Sequence, residues 1–441
     1  MSIDPASPTA RIDALFNWIG KLGGRASPVP VLALAMAGML VTQLGRTIHD
    51  VDIFWQLKLG EISLAQGLPA QEPFLAGREA EPLAPVAWLA QVVYAATRNL
   101  GGWKLLWLVD ALVWFGGFAV VALYCGRKSP NAWPVAFGLW VGWFSAITTA
   151  SVRPQSFSAL AFGLMIVLVH SKLSVGRTAL FGGLLFVLWQ NLHPSVVVGG
   201  LALFAAALAG SVQYYRKRRP ELPVRIFALL PLAAISTVAT PAGFDIFRIS
   251  RINAEMSLHL QVAEWLPLTW EPHKYGRAFV WAMFLVTASA LALRGRMARA
   301  ETLALVLALA GATLLSHRFV LYWGIAVIPL WPELLGSESV PDERPSSPWR
   351  RSLAALALAG TIGWHAAMHP APLDKYYPFE GIQKLRDTGI RGTIFGTFYW
   401  GGMLAEAGYP DWRTTHDGRY YLHTAAEWDC YHLITNGDGG E

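Results

Sequence analysis

About eleven stretches of this 441-residue chain are apolar enough and long enough to cross a bilayer, and a chain with that many must bury them in lipid or against one another. They read as 30–45, 104–124, 133–150, 155–170, 178–192, 195–211, 224–240, 277–293, 300–316, 318–335 and 352–368. Hydrophobic residues make up 54% of the chain and charged residues only 15%, which excludes a soluble domain of this length. Backbone polar groups in lipid must be satisfied within their own segment, so the expected fold is an all-α polytopic bundle of about eleven transmembrane helices.

Orientation follows from the basic residues of the short loops. Clusters at Arg11/Lys21/Arg25, Arg127/Lys128, Lys172/Arg177, Arg216/Lys217/Arg218/Arg219, Arg294/Arg296/Arg299 and Arg344/Arg350/Arg351 alternate consistently when all are cytoplasmic. Segment 86–98 is apolar over only about 13 residues and would break that alternation by crossing, so it reads as an amphipathic helix in the outer interface. The expected topology in a bacterial inner membrane has the N-terminus cytoplasmic and the C-terminus outside. The first apolar run begins near Val29 after a polar lead, so no cleavable signal peptide is expected. Cys125 and Cys430 fall on opposite sides of the membrane and cannot pair within one chain. The net charge of +6 lies mostly in inner loops, where it meets anionic lipid headgroups and not nucleic acid.

Three units follow. Residues 1–29 form a cytoplasmic lead, and 30–368 form the bundle with long external loops at 46–104 and 240–276. Residues 369–441 read as a small external α/β unit, with a helix at 379–387, a strand at 392–398, a short helix at 403–407 and a second strand beginning at 413–415. The chain stops soon afterwards, so this unit reads as incomplete as given.

The unusual polar residues gather on the outer side. The first loop opens with Asp50-Val51-Asp52, followed by Trp55, Lys58 and Glu61 and then a proline-rich turn. Two carboxylates at a membrane boundary are costly unless solvated or paired; alone, the pair reads equally as a solvated span end. Arg153, and His317-Arg318 at an outer turn, lie at the depth of a lipid phosphate, as interfacial anchors or as phosphate ligands. Lys58 is a further phosphate candidate, and His193 caps a span end or contacts substrate. Spacings for a zinc site, a phosphate-cradling glycine loop or a serine elbow are absent from the sequence.

The order of span, acidic pair, interfacial helix, proline-rich turn, second interfacial helix and next span resembles the first external loop of GT-C glycosyltransferases, polytopic enzymes that take a sugar from a polyprenyl-phosphate or polyprenyl-diphosphate donor. The loop Gln261-Val262-Ala263-Glu264-Trp265-Leu266-Pro267-Leu268-Thr269-Trp270 resembles the Ser-Val-Ser-Glu-His-Gln-Pro-Thr-Thr-Trp loop of oligosaccharyltransferase catalytic subunits. More closely still, the chain resembles a widespread group of bacterial membrane proteins through Asp50-x-Asp52 with Trp55, Arg153-Pro154-Gln155, Asn191-Leu192-His193, Glu264-Trp265, Trp400-Gly401-Gly402 and Asp417-Gly418-Arg419. Three departures stand out: Pro194 follows His193 where glycine is usual, Phe54 replaces one tandem tryptophan, and the Phe398–Gly402 segment lacks the aspartate of a Trp-Trp-Asp acceptor motif.

The resemblance implies sugar transfer to an extracytoplasmic glycan, lipid or protein acceptor. It puts Asp52 first and Asp50 second as base, Arg153, Arg318, His317 and Lys58 at the donor phosphate, and Glu264, Trp265, His193, Asn191 and Trp55 at the substrate. Asp50 or Asp52 together with Glu264 would be the ligands of a Mg2+ or Mn2+ ion if one is used. His416-Asp417-Gly418-Arg419 reads first as a turn and second as an acceptor contact. The rival readings are a lipid-linked glycan transporter and a non-catalytic assembly scaffold. A transporter would carry charges near the midplane, where this chain has little besides Asp110.

Overall fold

The computed structural model describes residues 28–129, 131–269, 276–335 and 373–437, with a few helical positions between 356 and 368. The expected lead at 1–29 and most of the expected span at 352–368 lie outside the described residues. In chain order the helices are α1 (Pro28–Leu44), α2 (Asp52–Gln66), α3 (Trp88–Lys128), α4 (Trp133–Ala146), α5 (Gln155–His170), α6 (Val175–Leu192), α7 (Val196–Tyr215), α8 (Val224–Ser236), α9 (Asp245–His259), α10 (Arg277–Arg294), α11 (Ala300–Leu315), α12 (Val320–Ala326) and α13 (Leu330–Leu335). A C-terminal group follows: α14 (Phe379–Asp387), β1 (Gly392–Ile394), α15 (Phe398–Gly408), β2 (Trp412–Thr414) and α16 (Ala425–Asn436).

Three helical stretches, Trp88–Lys128, Val196–Tyr215 and Arg277–Met297, are long and apolar enough to cross a membrane, and Leu32–Leu44, Gln155–His170, Val224–Ser236 and Ala300–Leu315 are shorter apolar helices. Leu184, Phe204 and Leu285 stay exposed on α6, α7 and α10, as expected of helix faces turned to hydrocarbon. Inside the bundle Phe162 makes edge contacts with Trp189 and Tyr322 at 6.2 and 5.2 Å. Helices α3 and α5 approach through glycines: a Cβ at Gly163 would stand 2.3 Å from the Gly117 carbonyl oxygen. Small residues at a crossing let membrane helices pack backbone to backbone.

Helix α3 is broken where segment 86–98 was expected to leave the interface. Gly101 and Gly102 depart from helical geometry, and Gly102 has φ 62° and ψ −163°, a conformation that needs glycine. Its first arm packs against α2. The expected span 318–335 is likewise divided, into a 3-10 turn at His317–Phe319, α12 and α13. Pro329 lacks an N–H and disfavours helix at the residue before it, which accounts for the interruption.

In the C-terminal group β1 and β2 pair in parallel, Gly392 opposite Trp412 and Ile394 opposite Thr414, with α15 as the crossover. The expected strand 392–398 ends at Ile394 and the expected helix 403–407 begins earlier, at Phe398. The run Phe398-Tyr399-Trp400 has strand-like composition, but the α15 helix buries Met403, Leu404 and Ala405 from the same segment. Single parallel bridges, Leu75 to Thr414 and Ile48 to Leu373, dock this group on the first loop.

Candidate functional site

Helix α2 begins where the first loop leaves α1, and its acidic pair divides into two environments. Asp50 is buried; one carboxylate oxygen accepts the Asp52 backbone N–H at 2.8 Å, capping the free end of the helix, and the other pairs with Arg153 Nε. Asp52, two residues on, is partly exposed and accepts from Trp55 Nε1 at 3.1 Å. Gly418 lies directly over it, so close that a Cβ there would meet the Asp52 carboxylate at 1.8 Å. Removal from water pushes the Asp52 pKa up to about 7 against the lowering bond from Trp55, and the Asp417 and Glu264 charges raise it further.

Across from Asp52 stand residues from three distant loops. Arg153, in the turn that starts α5, gives Nη1 to Glu264 at 2.8 Å while its Nε is held by Asp50. The Tyr94 hydroxyl hydrogen-bonds both the Asp110 carboxylate and the Arg153 carbonyl, the latter at 2.6 Å, so Asp110 inside the bundle acts on the backbone of this turn. The 264–266 loop is stitched to the 316–318 turn: Arg318 N donates to Glu264 O at 2.9 Å and His317 N to Leu266 O at 3.1 Å. That stitching lays the Arg318 guanidinium on the Trp265 ring, 3.8 Å from its centre. Burial alone would raise the Glu264 pKa, but the Arg153 and Arg318 charges overcome it and hold the carboxylate below its ordinary range.

These groups line one cavity of about 430 Å³. Asp52, Trp55, Arg153, His193, Glu264, Trp265 and Arg318 all line it, together with the apolar Val197 and Val198 from α7 and Ile246 and Ile249 from α9. His193 is anchored from behind: its Nδ1 is 2.9 Å from both the Ser158 and Ser195 hydroxyls, and Trp189 Nε1 donates to Ser195 at 2.9 Å. Burial, with Arg318 nearby, lowers the His193 pKa to about 3, so the ring is a neutral hydrogen-bonding group.

The other expected residues lie elsewhere. Asn191 accepts from Trp88 Nε1 at 2.7 Å and donates to the Ala239 carbonyl at 2.7 Å, tying α3, α6 and the end of α8 together. Lys58 turns to Glu61 at 3.1 Å. His317 is buried beside Arg318, and burial and Arg277 lower its pKa to about 4. Neither Lys58, His317 nor Asn191 is among the residues lining the cavity. The carboxylates named as metal ligands do not fit a preformed cage, since Arg153 bridges Asp50 and Glu264, and among the described residues no three His, Cys, Asp or Glu side chains gather to hold an ion.

Two features were not foreseen. Arg419 is fully buried between Glu72, at 2.6 Å, and Asp417, at 2.6 Å, so the Asp417-Gly418-Arg419 turn clamps the C-terminal group onto the first loop. Burial alone would lower the Arg419 pKa, but the two carboxylates raise it. Both turns were visible in sequence, but nothing local signals a pairing across that separation. Helix α9 supplies Ile246, Ile249, Ser250 and Asn253 to the cavity wall; its amphipathic pattern was the available signal. Chemically, the arrangement offers a carboxyl group titrating near neutrality, a guanidinium stacked on an indole, and an apolar flank beside both. Comparison with family models finds no match for this chain, and neither does comparison with curated proteins.

Proposed function

We propose that this protein is a GT-C-type membrane glycosyltransferase that moves a sugar from a polyprenyl-phosphate or polyprenyl-diphosphate donor to an extracytoplasmic glycan, lipid or protein acceptor. The proposal includes an eleven-span bundle in a bacterial inner membrane, cytoplasmic N-terminus, external C-terminal α/β unit, and 86–98 in the outer interface.

The observation that carries the reading is one cavity lined both by carboxyl and guanidinium groups, Asp52, Glu264, Arg153 and Arg318, and by the apolar side chains of Val197, Val198, Ile246 and Ile249. A lipid-linked sugar has the same polarity: an isoprenoid tail, an anionic phosphate and a sugar. In this scheme Asp52 takes the proton of the acceptor hydroxyl, and a group titrating near 7 suits that task at neutral pH. Arg318 faces the phosphate, where negative charge grows as the bond to the sugar breaks. Glu264 and Asp50 hold Arg153 in place, and His193 hydrogen-bonds the substrate without adding charge.

A photoreactive polyprenyl-phosphate analogue irradiated in membranes tests the placement. Labelling of peptides containing Val197, Val198, Ile246 or Ile249, competed by unlabelled polyprenyl phosphate, is the expected result. Labelling confined to the α10–α13 face, or insensitive to competitor, would remove the donor site from this cavity.

A further inference from the structure

A sugar can be linked to its lipid through one phosphate, which carries one negative charge, or through a diphosphate, which carries two. Accepting the donor site proposed above, we propose that the cavity is built for the first, a monoanionic phosphodiester joining sugar and polyprenyl chain.

Among the described residues, four side-chain cations lie at or near the cavity. Arg153 lines the cavity but is held on both edges, by Asp50 at Nε and by Glu264 at Nη1. Arg419 also lines it and is locked between Glu72 and Asp417, with no exposed side chain. Lys58 is engaged by Glu61 outside the lining. Arg318 remains: it lines the cavity, sits over the Trp265 ring with its guanidinium carbon 3.8 Å from the ring centre, and among the described residues forms no salt bridge with a carboxylate. A guanidinium carries N–H donors suited to two parallel bonds to phosphate oxygens, and contact with the indole holds this one at the cavity.

Among the described residues, carboxylates outnumber guanidiniums around Arg318, since Asp50, Asp52, Glu264, Glu72 and Asp417 face or back the cavity against Arg153, Arg318 and Arg419. Among the described residues, a second ligand charge would find no free cation in the cavity unless Arg153 released Glu264.

The transfer step balances on the same groups. The acceptor oxygen bonds to the anomeric carbon as the bond from that carbon to the phosphate oxygen breaks. The hydroxyl proton passes to Asp52, and the electron pair leaves with the lipid as a polyprenyl phosphate monoester. The phosphate gains one negative charge opposite Arg318 while Asp52 loses one, so the net charge of the cavity does not change.

The test uses the full-length protein in lipid discs and two probes of equal chain length, a methyl-capped polyprenyl monophosphate with one charge and a methyl-capped polyprenyl diphosphate with two. The monophosphate should bind about ten- to a hundredfold tighter, the range of one charge-assisted hydrogen-bonding pair. Arg318→Gln should remove that advantage, Arg318→Lys should keep the preference at reduced affinity, and Glu264→Gln, by freeing Arg153, should strengthen diphosphate binding until the two probes converge or reverse. Diphosphate binding as tight as monophosphate binding in the unaltered protein would overturn the inference while leaving the donor site standing. Failure of both probes to bind would overturn the proposed function beneath it.

Discussion

Asp50 and Asp52 are two residues apart, yet one is a buried structural anion and the other a carboxyl group that titrates near 7. The spacing itself was legible in the sequence. The division of labour was not, because it depends on Arg153 reaching Asp50 and on Gly418 covering Asp52. This carries a prediction about stability and pH. The folded-state pKa of Asp52 is raised, so folding favours its protonated form and ionisation costs stability. That cost is absent below the ordinary carboxyl pKa, grows as pH rises, and is complete above about 7. Asp52→Asn should therefore match the unaltered protein in thermal midpoint near pH 4 and exceed it near pH 8. The gap is bounded at about 4 kcal/mol by the size of the shift and is reduced by the solvent reaching this partly exposed group. Thermal unfolding of both proteins across that pH range checks it, and a gap independent of pH would show that Asp52 titrates normally.

At the scale of elements, the sequence located most helices well where a single apolar run had clear ends, as in α5 at 155–170 and α11 at 300–315. It failed where one backbone detail governs a long run. Gly101 and Gly102 divide α3, and Pro329 separates α12 from α13, though hydropathy reads straight through both. Gly102→Ala should cost roughly 1–3 kcal/mol by forcing a side chain into a glycine-only conformation. A lowered thermal midpoint would show it, and an unchanged one would mean that the two arms of α3 do not meet as described. The Glu72–Arg419–Asp417 cluster predicts a larger effect. Arg419→Met leaves two buried carboxylates without their cation, and breaking such a pair typically costs about 3–5 kcal/mol. The C-terminal group should become sensitive to limited proteolysis before the bundle unfolds. Equal protease resistance would mean that the β-bridges and α15 hold the group without the ion pairs.

For the whole molecule, hydropathy pointed to a helical membrane protein, and among the described residues three helices are long and apolar enough to span, with four shorter apolar ones. The convergence of Asp52, Arg153, Glu264 and Arg318 on one cavity was legible only through the depth of the loops and the resemblance, because their contacts join segments from about fifty to more than a hundred residues apart. The proposed topology predicts that periplasm-dependent reporters are active both near Gly101 and after Pro370; cytoplasmic activity at Gly101 would invert the order of the spans that follow. The central claim is that this cavity transfers sugar with Asp52 as base. It is tested most directly by measuring sugar incorporation from a polyprenyl-linked donor pool in membranes carrying the unaltered protein or Asp52→Asn at matched expression. The account predicts a fall of roughly 100- to 10,000-fold for the variant, the usual contribution of a general base, with insertion intact. Equal incorporation by the two proteins would contradict it.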